Sequence, residues 1–146
     1  MIKKIDHINI VVQDLKAAKK FFSLLGFVTK REGILKGTWI ETLTTLKNVS
    51  ATFVGMALPD DSVVLEILSF QSPTSNRDQH ISRLNHIGLR HLAFQVADIE
   101  TVVANLKLHG VTFLSDVQAY PPLNKKLCYF LGPEGIVLEL AEYMKA

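Results

Sequence analysis

The feature that most constrains this chain is an internal repeat. Residues 5–28 (IDHINIVVQDLKAAKKFFSLLGFV) align without a gap on residues 89–112 (LRHLAFQVADIETVVANLKLHGVT), and VVLEILSF at 63–70 echoes IVLELAEY at 136–143. Repeated segments of this length signal two copies of one supersecondary unit, each too small to bury its apolar face alone. Each copy carries a histidine near its start and a glutamate near its end. His7 matches His91, and Glu66 matches Glu139.

Within each copy the pattern reads as strand, helix and then further strands. IDHINIVV is β-rich, and Asp14 can cap a helix whose apolar residues Leu15, Ala18, Phe22 and Leu25 recur at spacings of three and four. In the second copy LRHLAFQV leads to Asp98 as the matching cap, followed by Ile99, Val102, Val103 and Leu106. Gly26 and Gly110 end the two helices. Strands are expected at 27–32, 50–57 and 62–69, and again at 111–116, 126–131 and 136–142. PDDS at 59–62 and GPEG at 132–135 turn the last two strands of each copy. Both modules are therefore β-α-β-β-β. The first covers 1–70, a polar linker covers 71–88 with a short helix expected near 78–86, and the second module covers 89–146.

The copies differ in length. Gly26 to Glu66 is 40 residues and Gly110 to Glu139 is 29, so the first copy holds 11 more, within EGILKGTWIETLTTLKN. That insertion, 33–49, reads as an added strand or a lid over a pocket, or else as a surface loop whose Trp39 packs on the core.

Alternation along a strand sends neighbouring side chains to opposite faces. Ile8, Ile10 and Val12 then pack under the helix, while His7, Asn9 and Val11 face the other way; Leu92, Phe94 and Val96 oppose His91, Ala93 and Gln95 in the same manner. Leu65 and Ile67 oppose Glu66, and Leu138 and Leu140 oppose Glu139. A carboxylate in so apolar a strand is costly to bury unless a partner or a cation compensates it. If a pseudo-twofold brings the inward faces together, two imidazoles and two carboxylates converge, a set suited to Ni²⁺, Zn²⁺, Co²⁺, Fe²⁺ or Mn²⁺. The two carboxylates would neutralise such an ion.

Composition narrows the class further. At 146 residues, 48% hydrophobic and 21% charged, the chain suits one compact domain over 1–146. Asp6, His7 and Asn9 interrupt the opening MIKKIDHINIVV, which supports neither a signal peptide nor a membrane span. A net charge of +2 without a basic cluster gives no reason to expect nucleic acid. The lone Cys128 excludes an internal disulfide and reads as a small buried residue. A cytoplasmic homodimer is the expectation. His80 and His86 fall in the linker, His109 stands at a helix C-terminus, and Arg77, Arg83, Arg90, Lys125 and Lys126 are read as solvated without an assigned role.

DHINIVVQDL with HLAFQVADIE, and VVLEIL with GPEGIVLELAEY, resemble the vicinal oxygen chelate superfamily. That superfamily includes glyoxalase I, methylmalonyl-CoA epimerase, extradiol dioxygenases, fosfomycin-resistance enzymes and bleomycin-binding proteins. The resemblance covers nearly the whole chain. It implies an α+β fold in which two tandem modules form an open, cup-shaped mixed sheet with helices outside. It also implies one divalent metal ion held by His7, Glu66, His91 and Glu139. By the same resemblance the ion is chelated by two vicinal oxygens of a small-molecule substrate, and an enediolate or enolate is stabilised after proton abstraction. Glu139 is the implied base, with Glu66 as its partner. A complete His/Glu/His/Glu set is similar to bacterial glyoxalase I, a lactoylglutathione lyase. The alternatives are an epimerase, an extradiol dioxygenase, and a metal-free antibiotic-binding protein. QAYPPLNKKLCYF departs from the family's glycine-rich segment, and no glutathione loop is recognisable, so the thiol substrate is not read from the sequence.

Overall fold

The computed structural model describes residues 1–60 and 62–144. It divides into two compact units, Met1–Arg77 and Asp78–Ala146, each built around its own sheet. The boundary falls inside the segment read as linker. The first unit contains β1 (His7–Val11), α1 (Leu15–Leu24), β2 (Val28–Lys36), α2 (Thr38–Thr44), β3 (Ser50–Ala57) and β4 (Val64–Ser72). The second contains β5 (His91–Gln95), α3 (Ile99–Leu108), β6 (Gln118–Tyr120), β7 (Lys125–Leu131) and β8 (Val137–Tyr143). The α+β class expected from the sequence is found, with two four-stranded mixed sheets.

The repeat is visible in the topology. The sheet orders are β1-β4-β3-β2 and β5-β8-β7-β6, so the first strand of each unit lies parallel to its last. Parallel neighbours need a long crossover, which α1 and α3 begin. Asp14 accepts a 2.8 Å hydrogen bond from the Ala17 amide, and Asp98 accepts one of 3.0 Å from the Thr101 amide. Both helices also end alike. Phe27 N–H donates to the Phe22 carbonyl and Gly26 N–H to Ser23, while Val111 N–H donates to Leu106 and Gly110 N–H to Lys107. This double closure requires a left-handed residue, supplied by Gly26 at φ 89° and Gly110 at φ 78°. Replacing Asp14 by Ala is expected to cost about 1 kcal/mol, read from the urea midpoint; an unchanged midpoint would show that the cap contributes nothing here.

The apolar faces lie where the alternation puts them. Ile10, Val12, Leu65 and Ile67 are buried with Ala18 and Phe22 in the first unit, and Leu138 and Leu140 with Ile99, Val103 and Leu106 in the second. Phe22 meets Phe21 and Phe27 edge to face at 5.4 and 5.8 Å.

Three expectations are corrected. The strand expected at 111–116 makes only a single bridge, Phe113 to Phe130, and the regular strand comes later as β6. Thr112 and Leu114 still bond Leu131 and Tyr129, so the segment follows β7 without becoming a full ladder. The helix expected near 78–86 is replaced by turns joined by i to i+3 bonds, Ile81 to Asp78, Arg83 to His80 and His86 to Arg83. This stretch has no buried face to offset the cost of helix nucleation. The insertion extends β2 and then forms α2, in which Ile40 is buried and Trp39 is exposed. The turn expected at 59–62 includes Asp61, and the second module's last two residues follow Met144; these three lie outside the described residues. Among the described residues, no helix is long and apolar enough to cross a membrane.

Candidate metal centre

In the first unit the parallel pairing sets Asn9 opposite Glu66 and His7 opposite Val64. His7 and Asn9 share a face, so both side chains meet the glutamate. His7 Nε2 stands 4.0 Å from Glu66 Oε1, and Asn9 Nδ2 donates to the same oxygen at 3.3 Å. The other oxygen, Oε2, accepts from Arg31 Nη2 at 3.3 Å. Arg31 comes from β2 and reaches across β3, because Gly55, opposite Glu66, has no side chain in the way. A Cβ at Gly55 would stand 3.0 Å from Arg31 Cγ. On the far side of His7, Nδ1 lies 2.8 Å from Asp6 Oδ2. A carboxylate only accepts, so Nδ1 carries the proton in this contact and Nε2 is turned toward Glu66. That hydrogen bond also holds the Asp6 carboxyl below its ordinary range.

The second unit repeats the register and changes the supporting cast. Ala93 lies opposite Glu139 and His91 opposite Val137, the same offset as in the first unit. His91 Nε2 is 3.1 Å from Glu139 Oε2. Tyr129, at the position that Gly55 holds in the first unit, packs edge-on against His91 at 5.2 Å. With that space filled, the cation comes from elsewhere. Lys125 Nζ donates to Glu139 Oε1 at 2.7 Å. Glu139 is only 4% exposed, which makes this a nearly dry ion pair. The hydrogen bond to Glu139 raises the Lys125 pKa, outweighing the opposing effect of burial.

Lys125 is set in place by the segment that precedes it. Pro121–Leu123 forms a 3₁₀ turn, and Asn124 follows in the left-handed region at φ 47°. Asn124 then clamps Met144 through two 2.9 Å hydrogen bonds, one backbone and one side-chain. This fixes Lys125 as the first residue of β7, opposite Tyr143, whose ring lies 5.6 Å from its ammonium.

The structure thus brings the four sequence-identified residues together as two pairs, His7 with Glu66 and His91 with Glu139. Among the described residues no group of three or more His, Cys, Asp or Glu is gathered at one point. Each pair fits a divalent ion on its own geometry. Two ligands about 2.1 Å from one ion stand at most about 4.2 Å apart, and the observed separations are 4.0 and 3.1 Å. The Asp6–His7 contact is the outer hydrogen bond that commonly orients a ligating imidazole.

Sequence reasoning missed the two cations. Lys125 was read as solvated without a role, yet its side chain is 15% exposed and bound to Glu139. Strand phase alone contained a signal, since Lys125 lies an even number of residues from Tyr129, which faces Glu139 across the ladder. For Arg31 the signal was the bare position at Gly55, legible only once β2, β3 and β4 are aligned. Of the remaining candidates, His109 Nδ1 lies 2.9 Å from the Asn105 carbonyl at the end of α3. His80 and His86 pack on each other at 4.7 Å within the turns. Burial pushes the Cys128 thiol up to about 11, which leaves little thiolate near neutral pH.

Residues 4–140 match the Glyoxalase/Bleomycin resistance protein/Dioxygenase superfamily. The chain belongs to that superfamily, which includes metal-dependent enzymes. It is 30% identical over 142 residues to the uncharacterised protein YaeR of Escherichia coli (strain K12), covering 97% of each chain. A glyoxalase family protein from Bacillus cereus superposes with a TM-score of 0.92 at 29% identity, covering 99% of this chain and 97% of that one. A likeness in fold alone, TM-score 0.63 at 16% identity over 99% of this chain and 95% of the other, extends to the fosfomycin resistance protein FosX of Listeria monocytogenes, solved with Mn(II) and sulfate.

Proposed function

We propose that this chain is a divalent-metal-dependent lyase or isomerase of the glyoxalase I type, acting on a small molecule with two vicinal oxygens. One observation carries the reading. The fold builds the same imidazole–carboxylate pair twice, at the same strand register, and in each pair one carboxylate oxygen faces the histidine Nε2 while the other is held by a cation. His7, Glu66, His91 and Glu139 would hold one ion. When bound, the ion supplies Lewis-acid stabilisation of negative charge developing on the substrate oxygens.

The chain's own residues divide the remaining work. Glu139 is the proposed base, since its Oε2 is free of the lysine and turned to the side of His91 Nε2. Lys125 and the buried strand around Glu139 hold that oxygen in one direction, which proton transfer requires before any matching of pKa values. Glu66 is the partner carboxylate, and Asn9 and Arg31 fix its two oxygens.

Metal titration tests the reading directly. Calorimetry with Ni²⁺, Co²⁺, Zn²⁺ and Mn²⁺ is expected to show stoichiometric binding that is lost in the His7→Ala/His91→Ala double variant. A wild-type chain that neither binds these ions nor is stabilised by them sinks the enzyme reading. It would leave the second reading, a ligand-binding protein on the same scaffold without metal, which the Lys125–Glu139 pair favours because that carboxylate already has a countercharge. For a chain that binds metal, turnover of methylglyoxal with several thiols, methylmalonyl-CoA, catechols and fosfomycin then separates the enzyme classes.

A further inference from the structure

The two cations alter the charge of the proposed site, and this bears on its substrate. Two glutamates binding one divalent ion would cancel its charge. Here each glutamate is cancelled beforehand: Arg31 lies 3.3 Å from Glu66 Oε2, and Lys125 lies 2.7 Å from Glu139 Oε1. In both pairs the cation sits on the oxygen away from the histidine-facing one, so an ion taken by the Nε2 and the near oxygen need not displace it. Asp6 adds one negative charge beside His7, but it is 80% exposed and water screens it. An ion joining either pair therefore keeps most of its positive charge uncancelled.

The two units reach this state by unrelated routes. One uses a β2 arginine passing over Gly55, and the other a lysine that begins β7 beside Tyr143. The repeat accounts for the histidines and glutamates, because these sit at matching positions in both copies. It does not account for the cations, which do not. Their position at both carboxylates is a second, independent feature of the site.

We propose that Arg31 and Lys125 are specificity-determining residues that select an anionic chelating substrate, of the 2-hydroxy or 2-oxo acid class. Such a compound presents a carboxylate oxygen and an adjacent hydroxyl or carbonyl oxygen, the vicinal pair the proposed function requires, and the inference rests on that function. A neutral diol or hydroxyamide offers similar geometry without the charge. Beside Glu139, which is shielded from water, one fixed positive charge is worth about tenfold in affinity for an anion; at Arg31, 57% exposed, water screens part of that effect.

The test uses the full chain loaded with Co²⁺, whose visible spectrum reports ligands entering the coordination sphere. It is titrated with lactate and with lactamide, which share a carbon skeleton and differ in charge. The lactate-to-lactamide preference is expected to fall about tenfold in Lys125→Met, to fall by less in Arg31→Met, and to return in Lys125→Arg. A merely structural role would shift both ligands together. Arg31, 57% exposed, tolerates replacement and carries the test alone should Lys125→Met fail to fold. An unchanged preference in the folded variants overturns the proposal while leaving the metal site intact. A wild-type chain that shows no cobalt spectrum overturns the site reading, and this proposal with it.

Discussion

Glu139→Gln is expected to lower turnover by about 10²–10⁴-fold, the usual contribution of a positioned general base, while the chain stays folded. The amide keeps the shape of the carboxylate, and its oxygen can still accept from Lys125 Nζ, now 2.7 Å from Oε1. What it loses is the negative oxygen turned toward His91, at 3.1 Å. The position is 4% exposed, so water cannot substitute for the missing base. The measurement is kcat on the substrate returned by the screen, beside metal content and a melting curve. Retention of wild-type kcat would remove Glu139 from the chemistry. Retained metal with lost kcat separates its role as base from its role as ligand.

Lys125→Met should destabilise the metal-free protein by about 3 kcal/mol, the low end for removing one partner of a buried ion pair. Methionine fills much the same volume, so the loss comes from leaving the buried Glu139 carboxylate without its lysine countercharge. The pH dependence follows from the raised Lys125 pKa, whose first cause is the hydrogen bond to Glu139. A lysine whose pKa is higher folded than unfolded contributes stability that is fully present below its unfolded value, 10.5, and is lost as pH rises through the folded one. The gap between wild type and Lys125→Met should therefore hold steady from neutral pH to about pH 9.5 and narrow above 10.5. Urea unfolding of the metal-free proteins across that range measures it. A gap that is absent at pH 7, or that widens in alkali, contradicts the ion pair.

Strand phase was readable because it depends on local alternation. Ile10 and Leu65 are buried, while His7 and Asn9 of β1 and Glu66 of β4 share the opposite face, as the sequence pattern requires. Helix limits were readable for the same reason, since Asp14 with Gly26 and Asp98 with Gly110 act within a few residues of themselves. The segment 111–116 was misplaced because the partner of β7 is divided: 112–114 bonds its later half at Tyr129 and Leu131, and β6 pairs with its first half at Lys125–Leu127. Nothing local in VTFLSD signals that division.

By itself, the sequence determined the duplicated β-α-β-β-β unit and the placing of a histidine and a glutamate at matching points of each copy. These follow from periodicity, capping and repetition, which act over short stretches of chain. The tertiary structure decided the electrostatics of those residues. Arg31 and Glu66 are 35 residues apart, and Lys125 and Glu139 are 14 apart. They meet only because the ladders bring β2, β3 and β4 side by side, and β7 against β8. At Lys125 and Glu139 burial then removes the water that would otherwise have made each charge unimportant to its neighbour.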